Sequence, residues 1–395
     1  MKKLLTIVLA AALAVGVLTG CGEQKEDTPS EQPAAVVSSE EEPAPDAQPE
    51  EQPAEAPLED VTAAVNENPE NMSPTTGQTD TTTTYKPVFV QIDNSTAGRR
   101  WQSGLSYADV VYETLIETDD ADTRLSAVFN DAIYTEGTPD KIVVGSIRSS
   151  RYYHQWIDSE WDALYVHQGG PDTTNNPESD IWGESNQYIK QRITAAGKKP
   201  ANANLLFKND AGDPLENYAM TDVKADVEVY NYEPKVREPF KYYPLQDYAS
   251  EKEIKNIKLS FRSNPGWTEY QYDAGTDKLT RYMSGTAIVD VTTDKPIEVQ
   301  NVIVQYVPTG DMPGDPPRAK VDVFGEGPAE FIIHGKHLKG TWKRAAVEDS
   351  TKYYLESGEE VTLAPGNTWI AMHPNHMPVT IEYADGTTYE ANTAG

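Results

Sequence analysis

Val88-Phe89-Val90-Gln91-Ile92 is an apolar run of strand length, closed by the polar pair Asp93-Asn94. A short apolar run rich in β-branched residues and bounded by turn formers predicts a strand buried on both faces. Downstream, Asp109-Val110-Val111-Tyr112-Glu113 and Leu125-Ser126-Ala127-Val128-Phe129 predict two more strands. Ile142-Val143-Val144 leads into Gly145, after which Ser149 or Ser150 is placed to cap a helix reaching about Trp161. On that helix Tyr152, Tyr153, Trp156 and Ile157 share one face. Ala163-Leu164-Tyr165-Val166 returns as a strand and ends at His167-Gln168-Gly169-Gly170. Strands interleaved with helical segments predict an α/β sheet domain over residues 85–232.

Residues 233–253, rich in Pro and Tyr, read as a joint, and beyond them the pattern changes. Tyr270 and Tyr272 alternate on one strand face, and Asn301-Val302-Ile303-Val304-Gln305-Tyr306-Val307 is a longer strand. Turn signals recur at Gly325-Glu326-Gly327, His334-Gly335, Ser357-Gly358, Pro365-Gly366-Asn367 and Asp385-Gly386. Short strands between glycine turns predict a mainly antiparallel domain over residues 254–390. The expected fold class is α+β, an N-terminal α/β sheet domain followed by a β-rich C-terminal domain.

The N-terminus carries an address. Met1-Lys2-Lys3, a short apolar run and Leu18-Thr19-Gly20-Cys21 form a secretory leader over residues 1–20. Leu-Thr-Gly-Cys resembles the bacterial lipobox, which implies cleavage before Cys21 and a lipid on that residue. The protein is then expected on the extracytoplasmic face of the cell membrane, anchored through Cys21. Because Cys21 is the sole cysteine, its lipidation leaves no thiol nucleophile, disulfide or zinc–thiolate site. Residues 22–84 contain no Phe, Trp or Tyr and hold 16 acidic residues against the single Lys25. This composition predicts a disordered acidic tether spanning roughly 45 Å. The remaining chain has 47 acidic against 30 basic residues, which disfavours nucleic acid as a partner.

Chemistry concentrates at Gly145 to Arg151, where Arg148, Ser149 and Arg151 meet a predicted helix start. Free amides and guanidinium forks together suit an anion. A candidate ligand site therefore joins Asp93, Asn94, Glu113, Arg124, Arg148, Ser149, Arg151, His167 and Gly169. Its occupant would be an envelope glycan carboxylate or an anionic polymer; the alternative is that Asp93, Asp109 or Glu113 neutralises the arginines internally. Glu113 and His167 are the candidates for acid–base chemistry should the protein be an envelope hydrolase. His334, His337, His373 and His376 form two i, i+3 pairs and raise a metal-binding alternative. No motif for a cofactor is present, and no Gly-x-Ser-x-Gly, Ser-x-x-Lys or His-Glu-x-x-His signature occurs. The leading expectation is a non-enzymatic binding or assembly protein of the envelope.

Several long stretches resemble the YerB-like lipoproteins of mainly Gram-positive bacteria. They are residues 86–94, 102–113, 123–125, 145–151 and 161–170, joined by 301–305, 340–343 and 365–370. The resemblance covers nearly all of the expected folded chain. Thr118-Asp119-Asp120-Ala121 departs from the usual glycine-containing step, and His334 stands where Asp or Asn is more usual. The resemblance implies two domains and a lipid anchor, and it implies no particular reaction.

Overall fold

A computed structural model describes residues 67–391, apart from 117–121, 173, 175–176, 195–204, 209–218, 262–265 and 314–317. The leader, Cys21 and the tether as far as residue 66 lie outside the described residues.

Three strands with wholly buried side chains lie at the centre: β1 (Val88–Asp93), β2 (Val110–Leu115) and β3 (Thr123–Phe129). Each is covered on both faces, which is why the sequence shows apolar runs here instead of alternation. Strand β3 pairs antiparallel with β1 and β2, placing Val90 opposite Ala127 and Val110 opposite Val128. Beyond β1 the strands Leu164–His167 and Gln191–Thr194 continue in parallel. Beyond β2 comes a strand from the far end of the chain, Thr368–Pro374, parallel and in register from Val110 opposite Thr368. Asn301–Val307, Gly325–Ile333, Lys336–Arg344 and Lys352–Leu355 complete ten strands. The α+β class holds, and one sheet runs through both expected regions.

A second sheet holds Ile254–Leu259, Thr268–Asp273, Lys278–Met283, Val379–Tyr383 and Thr388–Ala391. Its strands alternate buried and exposed positions, the pattern of a sheet with one wet face. Tyr270 on this sheet meets Trp369 of the large one, ring centroids 6.0 Å apart.

Helices are few. α1 (Asp131–Tyr134) is one turn, and α2 (Tyr152–Asp158) ends earlier than its apolar face predicts. Arg151 is its N-cap residue, one or two places beyond the expected serines. The early stop has a tertiary cause: buried Glu160 turns inward to Arg344, 2.7 Å away, and accepts from Thr351.

The tether expected to reach Thr84 is packed over its last part. Ser73, Thr75 and Thr76 are buried, and their hydroxyls donate to the carboxylates of Asp109 and Asp131. Gly77, at φ +68°, lies on the Tyr242 ring, where a Cβ would stand 2.2 Å from Cγ. Tyr242 in turn donates to the Thr75 carbonyl at 2.7 Å. Within the expected joint, Phe240 and Tyr242 are core residues and Val236 and Leu245 are exposed. A polar, aromatic-free stretch reads as tether because its burial runs through hydroxyl groups instead of apolar surface.

A soluble form beginning at Tyr85 should therefore be less stable than one beginning at Glu67 by about 2–4 kcal/mol, since buried carboxylates lose their donors. Denaturant unfolding checks this, and equal midpoints would refute the docking of residues 67–84.

Candidate functional site

The arginine-rich segment crosses the ends of β1 and Leu164–His167. Asp93 N donates to Ser146 O, Arg148 N to Gln91 O, Gln168 N to Arg148 O and Ser150 N to Gly169 O. Around Ser149 two guanidinium groups converge. Arg124 Nη1 donates to the Ser149 carbonyl at 2.6 Å and its hydroxyl at 3.2 Å. Arg151 donates to the Ser149 hydroxyl, the Ser150 carbonyl and the Ile116 carbonyl. Arg148 Nε lies 3.4 Å from buried Asp93 Oδ2, with its own side chain 28% exposed. Arg124 and Arg151 are only 2% and 3% exposed. Burial, then the charge of Arg151, pushes the Arg124 guanidinium down to about 9.

One residue that sequence reasoning missed belongs to this cluster. His154 Nδ1 accepts from the Arg151 amide, so its proton sits on Nε2 and faces Thr114 Oγ1 at 2.8 Å. Burial and the neighbouring arginines lower its pKa, keeping the ring neutral.

Glu113 and Asn94 sit elsewhere. Glu113 is fully buried and accepts from Asn94, Thr123, Thr268 and Trp369, and it pairs with Arg281 at 3.4 Å. Arg281 is equally buried and stacks over the Trp369 ring at 4.6 Å. His167 forms a third group: its Nδ1 contacts Gly169 O at 2.9 Å and its Nε2 faces Arg192 at 3.5 Å. Burial and Arg192 push its pKa down to about 3, so it stays neutral.

The four second-region histidines are not brought together. His334, at φ +51° in its turn, meets Asp277 at 2.6 Å. His337 lies between Tyr383 and Glu330. His373 is buried against Ser260 O, with its pKa pushed down to about 3 by burial, and His376 is exposed. Among the described residues no three His, Cys, Asp or Glu side chains are placed to hold a metal ion.

An open space lies at the other end of β2. A cleft of about 590 Å³ forms where residues 106–109 run into β2 and residues 365–367 run into Thr368–Pro374. The register of the two strands sets these segments side by side, and Thr368 N donates to Asp109 O at 2.9 Å. The packed end of the tether supplies Thr76, Gln78 and Thr81 to one wall. Opposite stand Thr293, Gln300 and Asn367, with Tyr107 as the ring and Lys278, Lys295 and Glu298 as the charges. Asn367 is fixed by donating to Glu298 O and accepting from Gln300 N.

Asp109 and Asp131 line this cleft and are nearly buried. Asp109 Oδ2 accepts from Asn130 N, Asp131 N and Thr75 Oγ1. Burial first, and then the Asp131 carboxylate, raises the Asp109 pKa well above the usual range. Asp109 had been expected as an arginine partner; its neighbours are a second carboxylate and hydroxyls. The sequence signal for this site was present in two of the family-like stretches, 102–113 and 365–370, whose meeting depends on strands 258 residues apart in register, as Val110 and Thr368 show.

The chain matches the N-terminal domain of a protein of unknown function (DUF3048) over residues 75–222 and its C-terminal domain over 257–370. It is 26% identical over 310 residues to "Putative lipoprotein YerB" of Bacillus subtilis (strain 168), spanning 77% of this chain and 86% of that one. The crystal structure of YerB protein from Bacillus subtilis aligns with a TM-score of 0.61 at 24% identity, covering 77% of this chain and 96% of that one. The latter likeness shows a shared fold. Together the matches define a two-domain lipoprotein class whose function is not assigned. The chain belongs to the YerB-like family. Among the described residues no helix is long and apolar enough to cross a membrane.

Replacing Glu113 by Ala should leave Arg281 charged in the core and cost about 3–5 kcal/mol of stability. Chemical denaturation measures this; a loss below about 1 kcal/mol would show that the pair is not buried as described.

Proposed function

We propose that this lipoprotein, anchored through lipid on Cys21 outside the cell membrane, binds a neutral envelope glycan in the cleft between its two family domains. The observation that carries the reading is the lining of that cleft. Serine and threonine hydroxyls both donate and accept, which matches sugar hydroxyls, and the fixed Gln300 and Asn367 amides add direction. Tyr107 offers an apolar ring with a polar tip at the wall. The chain's net charge of −30 opposes phosphate polymers and leaves a glycan as the better match.

The arginine cluster supports an anion site less well. Arg124 and Arg151 are buried and donate to main-chain carbonyls, so the cluster acts as an internal clamp on the segment before α2. An acid–base role for Glu113 or His167 is likewise unsupported by position, because neither lines the cleft.

Titration calorimetry of the soluble chain with N-acetylglucosamine oligomers and isolated wall glycan strands tests the reading. Binding is expected, and Tyr107→Ala should weaken it at least tenfold, about 1.4 kcal/mol. Absence of heat with every glycan, or unchanged affinity in the variant, would refute it.

A further inference from the structure

We infer that Asp109, in the lining of the cleft, carries its proton on Oδ1 and donates it to an acceptor oxygen of the bound glycan, an amide carbonyl before others. The inference rests on the cleft reading above and names the group that reads the ligand there.

The hydrogen-bond geometry around the two carboxyl groups supports it. Asp109 Oδ2 is filled by two backbone N–H groups, at 3.0 Å and 2.9 Å, and by Thr75 Oγ1 at 2.7 Å. The amides can only donate, so this oxygen is the acceptor of the group. Thr75 Oγ1 also lies 3.0 Å from Asp131 Oδ1, yet a hydroxyl has one proton and can fully serve one carboxyl. Ser73 and Thr76 donate to Asp131, at 2.7 Å and 2.5 Å. Among the described residues, no lysine or arginine pairs with Asp109 or Asp131.

Two nearly buried carboxyl groups that face each other across the Thr75 hydroxyl, without a paired cation, favour retention of a proton, and this outweighs the pull of the donors on Oδ2 toward the ionised form. With Oδ2 filled by donors, that proton belongs on Asp109 Oδ1. No described protein donor or acceptor reaches Oδ1, and the residue lines the cleft. The rise in the Asp109 pKa, from burial first and Asp131 second, agrees with this placement. The other titratable groups facing the site are Tyr242 behind Thr75, and Tyr107, Lys278, Lys295 and Glu298 along the cleft.

A neutral carboxyl in the lining acts as a donor, and its ionised form repels an acceptor oxygen. Affinity should therefore fall as pH rises through the Asp109 pKa. Stability follows the same sign: a folded pKa above the unfolded value of about 3.9 gives a contribution present at low pH and lost as pH rises.

Binding of an N-acetylglucosamine oligomer to the soluble chain, measured by calorimetry from about pH 5 to 9, is the test. The wild type should lose at least tenfold in affinity across a single titration, whereas Asp109→Asn, whatever its own affinity, should show no such step. A wild-type profile without the step, with binding intact, overturns the inference and leaves the cleft reading standing. Failure to bind at any pH defeats both. An infrared pH titration of the unliganded chain supplies an independent readout: a protonated-carboxyl band absent from Asp109→Asn supports the assignment, and identical spectra overturn it.

Discussion

The Glu113–Arg281 ion pair is the constraint around which the molecule is organised. Glu113 lies on β2, in the middle of the ten-stranded sheet, and Arg281 reaches it from the second sheet. A buried carboxylate needs both a cation and hydrogen-bond donors, because desolvation of the two charges otherwise exceeds their attraction. Donors come from both family domains: Asn94 and Thr123 from the first, Thr268 and Trp369 from the second. The pair thus specifies which faces meet. Shifting either strand by one residue would turn a charge away from its partner.

The cleft follows from that arrangement. Once β2 and Thr368–Pro374 are locked in parallel, the segments entering them must lie side by side at one end of the sheet. Tyr107 and Asp109 are then brought beside Asn367, and the packed stretch 73–81 covers one flank. Gly366 N donates to Thr76 O at 2.8 Å, tying that flank to the second domain. Neither family domain alone supplies this lining, so a ligand held there would report on both at once.

Much of the fold was legible because local pattern and burial agree. β1 was read to within a residue, and Asn301–Val307 has the same bounds in sequence and structure. Where reading failed, long-range polar contacts decided the outcome. The apolar face of α2 continues to Trp161, but Glu160 is drawn to Arg344, 184 residues away, and the helix stops at Asp158. Residues 73–76 looked like tether because nothing in their composition reveals two buried carboxylates waiting for hydroxyl donors. The convergence of Arg148, Ser149 and Arg151 was visible from spacing. That Arg124 and Arg151 would bond to main-chain carbonyls was not, since backbone acceptors leave no mark in sequence. The histidine pairs misled for a similar reason: an i, i+3 spacing across a hairpin turn points His334 and His337 at different partners.

The two family domains fold as one body seamed at β2 and Thr368–Pro374. Native-state hydrogen exchange of the soluble chain tests it most directly. The amides of both strands should open together, with the free energy of global unfolding. Exchange of residues 368–374 through a separate, lower-energy opening while β2 stays protected would show that the two domains are separate folding units.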